Sequence, residues 1–240
     1  MIRMQSIIRA VYPPQCVACE AQVADDHGLC GPCWRETRFI QGLTCEACGT
    51  PLMGQGAAPV HCDDCMTIAR PWAQGRAALV YDGIGRRMVL NLKHGDRTDL
   101  AVPAARWMLH AGRGMIAKDM VVVPVPVHWT RLIARRYNQA ALLSRLVARG
   151  LGALHVPDGL RRVVRNPKME AVGRDARFAA LQGAIAHHPR RAALLAGREV
   201  LIVDDVMTSG ATLAAATEAA HAAGAGQVCV LTLARVVKDT

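Results

Sequence analysis

The sequence predicts an α/β protein in which a parallel sheet with helices on both faces follows a small cysteine-rich domain. Eight of the nine cysteines lie within the first 65 residues. The rest of the chain alternates short apolar runs, rich in β-branched residues, with amphipathic or alanine-rich stretches. Such alternation is typical of a doubly wound sheet. We place the boundary after the last cysteine pair, between residues 1–72 and 73–240.

The composition allows a large core. The chain has 240 residues, of which 52% are hydrophobic, enough for one large or two small domains. No run of about 18 uncharged apolar residues is present, so we expect no membrane span. Arg3 and Arg9 interrupt the short apolar stretch at the N-terminus, which argues against a cleaved secretory signal and favours a cytoplasmic location.

Positive charge is concentrated in one part of the chain. The formal net charge is +10: residues 1–72 hold 5 Lys and Arg against 7 Asp and Glu, a balance of −2, whereas residues 73–240 hold 24 against 12, a balance of +12. Such a field attracts diphosphates or nucleic acid. A generally basic surface without a specific ligand is the alternative.

The cysteine-rich stretch consists of four C-x-x-C pairs. They are Cys16/Cys19, Cys30/Cys33, Cys45/Cys48 and Cys62/Cys65, separated by 10, 11 and 13 residues. Each pair presents two thiolates to one ion, and two pairs complete a tetrahedral zinc site. Four pairs predict two zinc sites, which are structural because four sulfur ligands leave no open position. Sequential pairing joins the first pair with the second and the third with the fourth; interleaved pairing is the alternative.

Other interpretations of the cysteine-rich stretch remain. Structural disulfides are rare in the cytoplasm, where thiols stay reduced, and an iron–sulfur cluster is a further alternative. Zinc ribbons commonly bind nucleic acid or a partner protein, but this one lacks a cluster of Lys and Arg. Trp34 and Phe39 are candidates for stacking on bases; packing in a small core is the alternative.

Strands and helices are predicted to alternate in the second part of the chain. We expect strands over residues 75–81, 120–125, 200–203 and 227–233, and helices over 84–94, 101–110, 137–149 and 212–223. The first of these helices is amphipathic, since Ile84, Met88 and Leu92 share one face. Lys93 at its C-terminal end either complements the helix dipole or reaches a ligand phosphate.

The stretch from Glu199 to Thr212 reads E-V-L-I-V-D-D-V-M-T-S-G-A-T. Its apolar run predicts a buried strand that ends at Val203. Residues 208–212 form a glycine-containing turn between this strand and a helix N-terminus, which presents backbone N–H groups and positive dipole charge to a phosphate. The carboxylates of Asp204 and Asp205 would repel a phosphate. They suit ribose hydroxyls, or a magnesium ion that these hydroxyls share with a diphosphate.

This stretch resembles the 5-phosphoribosyl-1-diphosphate (PRPP) binding motif of type I phosphoribosyltransferases, an apolar run followed by Asp-Asp, two residues and Thr-Thr/Ser-Gly-x-Thr. The resemblance implies a type I phosphoribosyltransferase-like parallel sheet, with magnesium accompanying PRPP. It also implies catalytic roles for Asp204 and Asp205. The residues implied to bind PRPP are Val206, Met207, Thr208, Ser209, Gly210, Ala211 and Thr212.

Further motifs narrow the resemblance. The sequence has P-V-P-x-H from Pro124, R-x-N-Q-A from Arg136, and Y-D-G…L-K-x-G from Tyr81. Together with the four cysteine pairs, these motifs resemble the ComF/GntX family of competence-associated phosphoribosyltransferase-like proteins over nearly the whole chain. The resemblance implies a role in natural competence, DNA uptake or nucleotide metabolism, with single-stranded DNA and a competence helicase as candidate partners.

The resemblance also indicates ligands for the diphosphate. In such folds the loop after the first core strand contacts diphosphate, so Arg131 and Arg135 join Lys93 as candidates to hold it by charge-assisted hydrogen bonds. The alternative is that the two arginines lie on the surface of an amphipathic helix.

The chain departs from the family pattern at three places. Arg136 stands where family members usually have glycine before the aromatic-Asn-Gln. The family's mobile hood over the active site corresponds to residues 160–177, where the usual Thr-Pro-x-Gln appears as N-P-K-M ending at Met169. A usual Asn further on appears as Ala180. The substitutions in the hood would affect the contacts that the hood makes with a substrate, but they leave the PRPP-binding motif unchanged.

Two functions are consistent with these residues. The first is an enzyme in which diphosphate leaves C1 of PRPP with the help of magnesium and arginines; no residue identifies the acceptor. The second is a non-catalytic accessory protein of DNA uptake that binds single-stranded DNA or a partner and keeps PRPP as a regulatory or vestigial ligand. A PRPP-responsive regulator is a weaker third hypothesis, because no helix-turn-helix segment is evident.

Overall fold

The computed structural model describes residues 12–56, 58–94, 97–117, 119–128, 137–164, 178 and 180–237. The helices in these residues are α1 Gly31–Glu36, α2 Asp63–Thr67, α3 Gly83–His94, α4 Ala101–Ala111, α5 Gln139–Leu151, α6 Ala192–Leu195 and α7 Ala211–Ala222. The strands are β1 Gln74–Val80, β2 Val121–Pro124, β3 Leu154–His155, β4 Leu160–Arg162, β5 Ile185–His187, β6 Val200–Met207 and β7 Val228–Arg235.

Five strands form one parallel sheet in the order β1-β7-β6-β2-β3. β6 lies between β7 and β2, with Val200 opposite both Val228 and Val121. The four apolar residues from Val200 to Val203 are fully buried. Burial on both faces is what a short apolar run of β-branched residues predicts for a parallel strand.

Helices cover both faces of this sheet. One face packs against α3, α4 and α5, and its core contains Met88, Met108 and Leu143 together with Leu201. The other face packs against α7, which contributes Leu213 to a second core. The predicted parallel sheet with helices on both faces is therefore confirmed.

The predicted end of the central strand at Val203 is wrong, because β6 continues to Met207. Its pairing with β2 does stop at Val203, opposite Pro124. The longer β7 goes on pairing with β6, and Met207 lies opposite Arg235. An apolar run identifies only the strand residues that are buried on both faces of the sheet. The prediction from this run therefore omitted the last four residues of β6, 204–207. The other predicted elements are present, and their ends lie within two residues of the predictions.

The cysteine-rich part of the chain covers the open edge of the sheet at β1. The Ile40 amide donates to the Ala78 carbonyl at 2.9 Å, and the Val80 amide donates to the Arg38 carbonyl at 2.9 Å. This short antiparallel contact satisfies backbone groups that an edge strand would otherwise expose. Gly75 permits a close approach, since a Cβ there would lie 2.4 Å from the Ala47 carbonyl oxygen.

A separate two-stranded antiparallel ribbon, β4 with β5, begins the segment predicted to form the hood. Leu160 lies opposite His187, and Arg162 lies opposite Ile185. The altered hood residues up to Met169 lie outside the described residues. Among the helices that are described, none combines the length and apolar character needed to cross a bilayer.

Candidate functional site

The eight paired cysteines form two tetrads by sequential pairing. We call Cys16, Cys19, Cys30 and Cys33 the outer tetrad, and Cys45, Cys48, Cys62 and Cys65 the inner tetrad. Within each tetrad all four Sγ atoms lie within 4.8 Å of one another, and none of these cysteines forms a disulfide. This arrangement excludes interleaved pairing.

The sulfur spacing fits zinc. A Zn–S bond of about 2.3 Å in a tetrahedron places the sulfurs about 3.8 Å apart. The Sγ atoms of Cys19 and Cys30 are 3.6 Å apart, as are those of Cys48 and Cys62. Both tetrads therefore have the ligand type and spacing of structural zinc sites.

The two tetrads differ in burial. Cys19 of the outer tetrad is exposed, and its partners Cys16 and Cys33 pack in the core that also holds α3, α4 and α5. In the inner tetrad Cys45 and Cys48 are fully buried and belong to the core on the α7 face of the sheet. The inner tetrad is thus part of the packing beneath the candidate ligand site.

The two predicted catalytic carboxylates lie just beyond the last residue of β6 that pairs with β2. Asp205 is buried, and its Oδ1 atom lies 3.1 Å from Nζ of Lys93 at the C-terminal end of α3. The Asp205 amide donates to Oδ1 of Asp204 at 2.8 Å. Of the two roles expected for Lys93, a place at the ligand site is the one that its contact with Asp205 favours.

Asp204 has the carboxyl group most perturbed by this environment. Burial, followed by the nearby charge of Asp205, raises the pKa of Asp204 to about 7. The positive charges of Lys93 and Arg162 oppose this rise. A carboxylate that is costly to ionise gains from a nearby cation or from hydroxyl donors, as a bound magnesium ion or ribose would supply.

The turn between β6 and α7 joins a glycine in the left-handed region to a helix N-terminus. Gly210 has a φ of 85°, which favours glycine, and α7 begins at Ala211 rather than at Thr212 as expected. The Ala211 amide lies 3.4 Å from the Ser209 hydroxyl, and Thr208 is exposed. Because the first amides of a helix have no helical acceptor, they are available to an anion at this turn.

The remaining predicted site residues have different surroundings. Met207 is buried in the core on the α7 face, whereas Val206 and Thr212 are partly buried. Arg131 and Arg135 lie outside the described residues.

Three arginines near this site were not predicted from the sequence. Arg162 on β4 acts electrostatically on Asp204. Arg70 donates to the Ser209 carbonyl at 2.8 Å, and Arg235 donates from Nη1 to the carbonyls of Met207 and Thr208. No local motif marks these arginines, because only the folded chain brings them to the turn.

Comparisons with known proteins agree with this arrangement. Residues 7–66 match the double zinc ribbon domain, and residues 147–240 match the phosphoribosyl transferase domain. The DNA utilization protein YhgH of Escherichia coli is 28% identical over 94% of this chain and 98% of that protein. Competence protein F of Haemophilus influenzae is 24% identical over 92% of this chain and 96% of that protein.

Solved structures show weaker similarity. The match to adenine phosphoribosyltransferase from Thermoanaerobacter pseudethanolicus covers 61% of this chain and 84% of that one, at 16% identity and a TM-score of 0.35. The two matched domains and the relatives that span nearly the whole chain are the stronger findings. They show that this chain combines a double zinc ribbon domain with a phosphoribosyl transferase domain, and that over nearly its whole length it is similar to proteins named for DNA utilization and competence, as the resemblance to the ComF/GntX family implies.

Proposed function

We propose that this protein binds PRPP together with magnesium at the carboxyl end of β6. The observation that carries the proposal is the placement of two adjacent carboxylates, Asp204 and Asp205, at the carboxyl end of β6, close before a glycine turn that leads into the N-terminus of α7. The turn, residues 208–212, would hold the 5-phosphate. The carboxylates would hold the ribose, whose hydroxyls donate to them.

Magnesium fits the carboxyl side of this site. Asp204 and Asp205 would hold it together with the ribose hydroxyls, and carboxylate oxygens are the ligands that magnesium prefers in proteins. When bound, the ion would neutralise charge on the diphosphate. Lys93 lies at the same place, and we propose that it holds the diphosphate with Arg131 and Arg135.

We further propose that the bound PRPP is a substrate. In the reaction the bond between C1 and the diphosphate oxygen breaks, and a nucleophilic atom of an acceptor forms the new bond to C1. Lys93 would stabilise the negative charge that develops on the leaving diphosphate. Asp204 and Asp205 would orient the ribose so that C1 faces the acceptor.

The cellular role proposed here is DNA uptake or nucleotide metabolism in the cytoplasm. The names of the relatives refer to DNA utilization and competence. Residues 73–240, which we propose as the phosphoribosyltransferase-like domain after a ribbon domain of residues 1–72, carry a balance of +12. A strongly positive domain attracts both PRPP and nucleic acid.

A non-catalytic accessory protein is the second candidate function. It is favoured by the hood residues Met169 and Ala180, which replace residues usual in the family, and by Trp34, which is 53% exposed beside the outer tetrad. In that case single-stranded DNA or a competence helicase is the partner, and PRPP is a regulatory or vestigial ligand.

Release of pyrophosphate separates the two functions. The zinc-loaded protein is incubated with PRPP, magnesium and a panel of bases, beside the variants Asp204→Asn and Asp205→Asn. Release with one base, lost in both variants, supports the enzyme and names its acceptor. Binding of single-stranded DNA without release, unchanged in both variants, supports the accessory protein.

A further inference from the structure

We propose that the inner tetrad, through Arg70 and Arg235, fixes the position of the phosphate-binding turn. The zinc ribbon would then contribute to ligand binding by holding the turn in place, in addition to forming a domain of its own. This inference rests on the proposed function of residues 208–212, because it concerns how strongly the turn holds a phosphate.

Arg70 joins the inner tetrad directly to the turn. Its Nε atom donates to Sγ of Cys65 at 3.4 Å, while Nη1 donates to the Ser209 carbonyl at 2.8 Å. The guanidinium also lies over the rings of Trp72 and Phe178, at 5.5 and 5.9 Å from their centroids. Because the guanidinium is planar and rigid, its hydrogen bonds to Sγ of Cys65 and to the Ser209 carbonyl hold these two atoms at a fixed separation.

Arg235 makes a second link from the inner tetrad. Its side chain is 4% exposed, and Nη1 donates to the carbonyls of Met207 at 3.2 Å and Val236 at 2.8 Å, as well as to Thr208. Nη2 lies 3.9 Å from Sγ of Cys48. Arg235 therefore reaches both the first residue of the turn and a sulfur of the inner tetrad.

The positive charges of Arg70 and Arg235 and the negative charge of the thiolates favour contact between these arginines and the inner tetrad. No carboxylate within the described part of the chain forms an ion pair with Arg70 or Arg235. Arg235 is buried and Arg70 is partly buried, and a guanidinium removed from water is costly unless an opposite charge compensates it. A zinc ion with four thiolates carries a formal charge of −2. This charge is equal and opposite to the combined charge of Arg70 and Arg235.

Gly210 lies in close contact with Arg70 and Trp72, two residues at the end of the cysteine-rich part of the chain. A Cβ at this position would lie 3.0 Å from Nη1 of Arg70 and 3.1 Å from the Trp72 ring. The turn is thus packed against Arg70 and Trp72, which lie a few residues after Cys65, the last ligand of the inner tetrad. By contrast, the described hydrogen bonds of the outer tetrad's residues stay within residues 16–37.

The variant Arg70→Met tests this link, with Arg191→Met as the matched control. Arg191 is another hydrogen-bonded arginine, paired with Asp158 on the surface. Three quantities are measured on each full-length protein: bound zinc per chain, hydrogen exchange of the amides in residues 208–212, and calorimetric affinity for PRPP with magnesium. Arg70→Lys is included because it keeps the charge but replaces the rigid planar fork, which donates from two nitrogens, with a single flexible ammonium.

We expect Arg70→Met to keep two zinc ions, to raise exchange of the turn amides, and to weaken PRPP binding about tenfold, since hydrogen bonds from a charged donor are the stronger kind. Arg70→Lys should behave in the same direction with a smaller effect, and Arg191→Met should match the wild type. A purely structural role for Arg70 would lower the melting temperature without a selective change at the turn.

Unchanged exchange and unchanged affinity in Arg70→Met would overturn the inference. If the wild type does not bind PRPP, the proposed function fails, but the exchange comparison still decides whether Arg70 fixes the turn. Arg235 is not the primary test because its burial makes a folding defect the first consequence of substitution.

Discussion

The outer and inner tetrads have the same ligands at similar spacing, yet their surroundings differ. The outer tetrad has an exposed ligand, Cys19, and its described hydrogen bonds are local. The inner tetrad has two fully buried ligands, Cys45 and Cys48, and contacts arginines that reach the phosphate-binding turn. Identical metal motifs can thus have different surroundings: the described contacts of the outer tetrad lie in its own part of the ribbon and in the core beside α3, α4 and α5, whereas we propose that the inner tetrad also supports the ligand site.

Removing one ligand from each tetrad is expected to give the largest effects. Cys48→Ser should lose the inner zinc and leave the charge of Arg235 buried without compensation, which costs about 3–5 kcal/mol of unfolding free energy. Cys19→Ser should lose the outer zinc at a smaller cost, because its site is exposed. Denaturant unfolding and zinc content measure both variants. Equal losses of stability would contradict the distinction between the tetrads.

Separating the ribbon from the sheet without touching a zinc ligand should have the next largest effect. In Gly75→Ala the added Cβ would meet the Ala47 carbonyl at 2.4 Å, and overpacking of this kind costs about 1–3 kcal/mol. We expect lower stability and a weaker hold on PRPP with both zinc ions retained. Gly56→Ala is the control, since a Cβ there meets nothing within 4 Å. PRPP affinity unchanged in a destabilised Gly75→Ala would show that the site does not depend on ribbon docking.

Substitution of Lys93 measures how much α3, which packs on the same face of the sheet as the outer tetrad, contributes to the ligand site. Lys93→Met should leave Asp205 without its cation, at a cost of about 1–2 kcal/mol, and should weaken PRPP binding. Zinc content should not change. The control is Arg87→Met, an exposed arginine on the same helix. Thermal melting and calorimetry measure the effects. PRPP affinity that is unchanged or increased in Lys93→Met would show that Lys93 does not contribute to binding of the ligand.

The smallest expected effect is a pH dependence from Asp204. Its folded pKa of about 7 lies above its ordinary value of 3.8, so the folded state binds a proton that the unfolded state has lost between these pH values. Stability should therefore fall as pH rises from about 4 to about 7, by on the order of 1 kcal/mol because partial exposure screens the charge. Asp204→Asn should flatten this slope in melting curves. Equal slopes in the wild type and in Asp204→Asn would show that Asp204 does not bind a proton in the folded state over this pH range.

The same titration predicts a trend in binding. If the ribose and magnesium need ionised Asp204, PRPP affinity should increase as pH rises through about 7, and protons should be released on binding. Calorimetry in buffers of different ionisation enthalpy measures this release. Proton uptake would contradict the assignment.

The parts of the site that are continuous in the chain could be predicted from the sequence. Residues 199–212 form a strand, a turn and a helix in that order, and the cysteine spacing predicts two metal sites. The pairing of the cysteines could not be predicted, because spacing alone allows interleaved as well as sequential pairing. The end of β6 was wrong because pairing with β7 continues past Val203.

The contacts that join distant parts of the chain were also beyond the sequence. Arg70 and Ser209 are separated by 139 residues. Arg235 is the last residue of the apolar strand β7, and nothing in the sequence marks its burial. Arg162 lies on β4, well before Asp204 in the chain, and acts on Asp204 electrostatically. Motifs identify residues that act together locally, whereas these arginines are placed by tertiary packing.

The most direct test of the central claim is calorimetric titration of the zinc-loaded protein with PRPP and magnesium, wild type beside Asp205→Asn. We expect one PRPP bound per chain by the wild type, and affinity reduced at least about tenfold in the variant, because the carboxylate that holds the ribose loses its charge. Absence of binding by the wild type, or equal binding by both proteins, would contradict the assignment of residues 204–212 as a PRPP site.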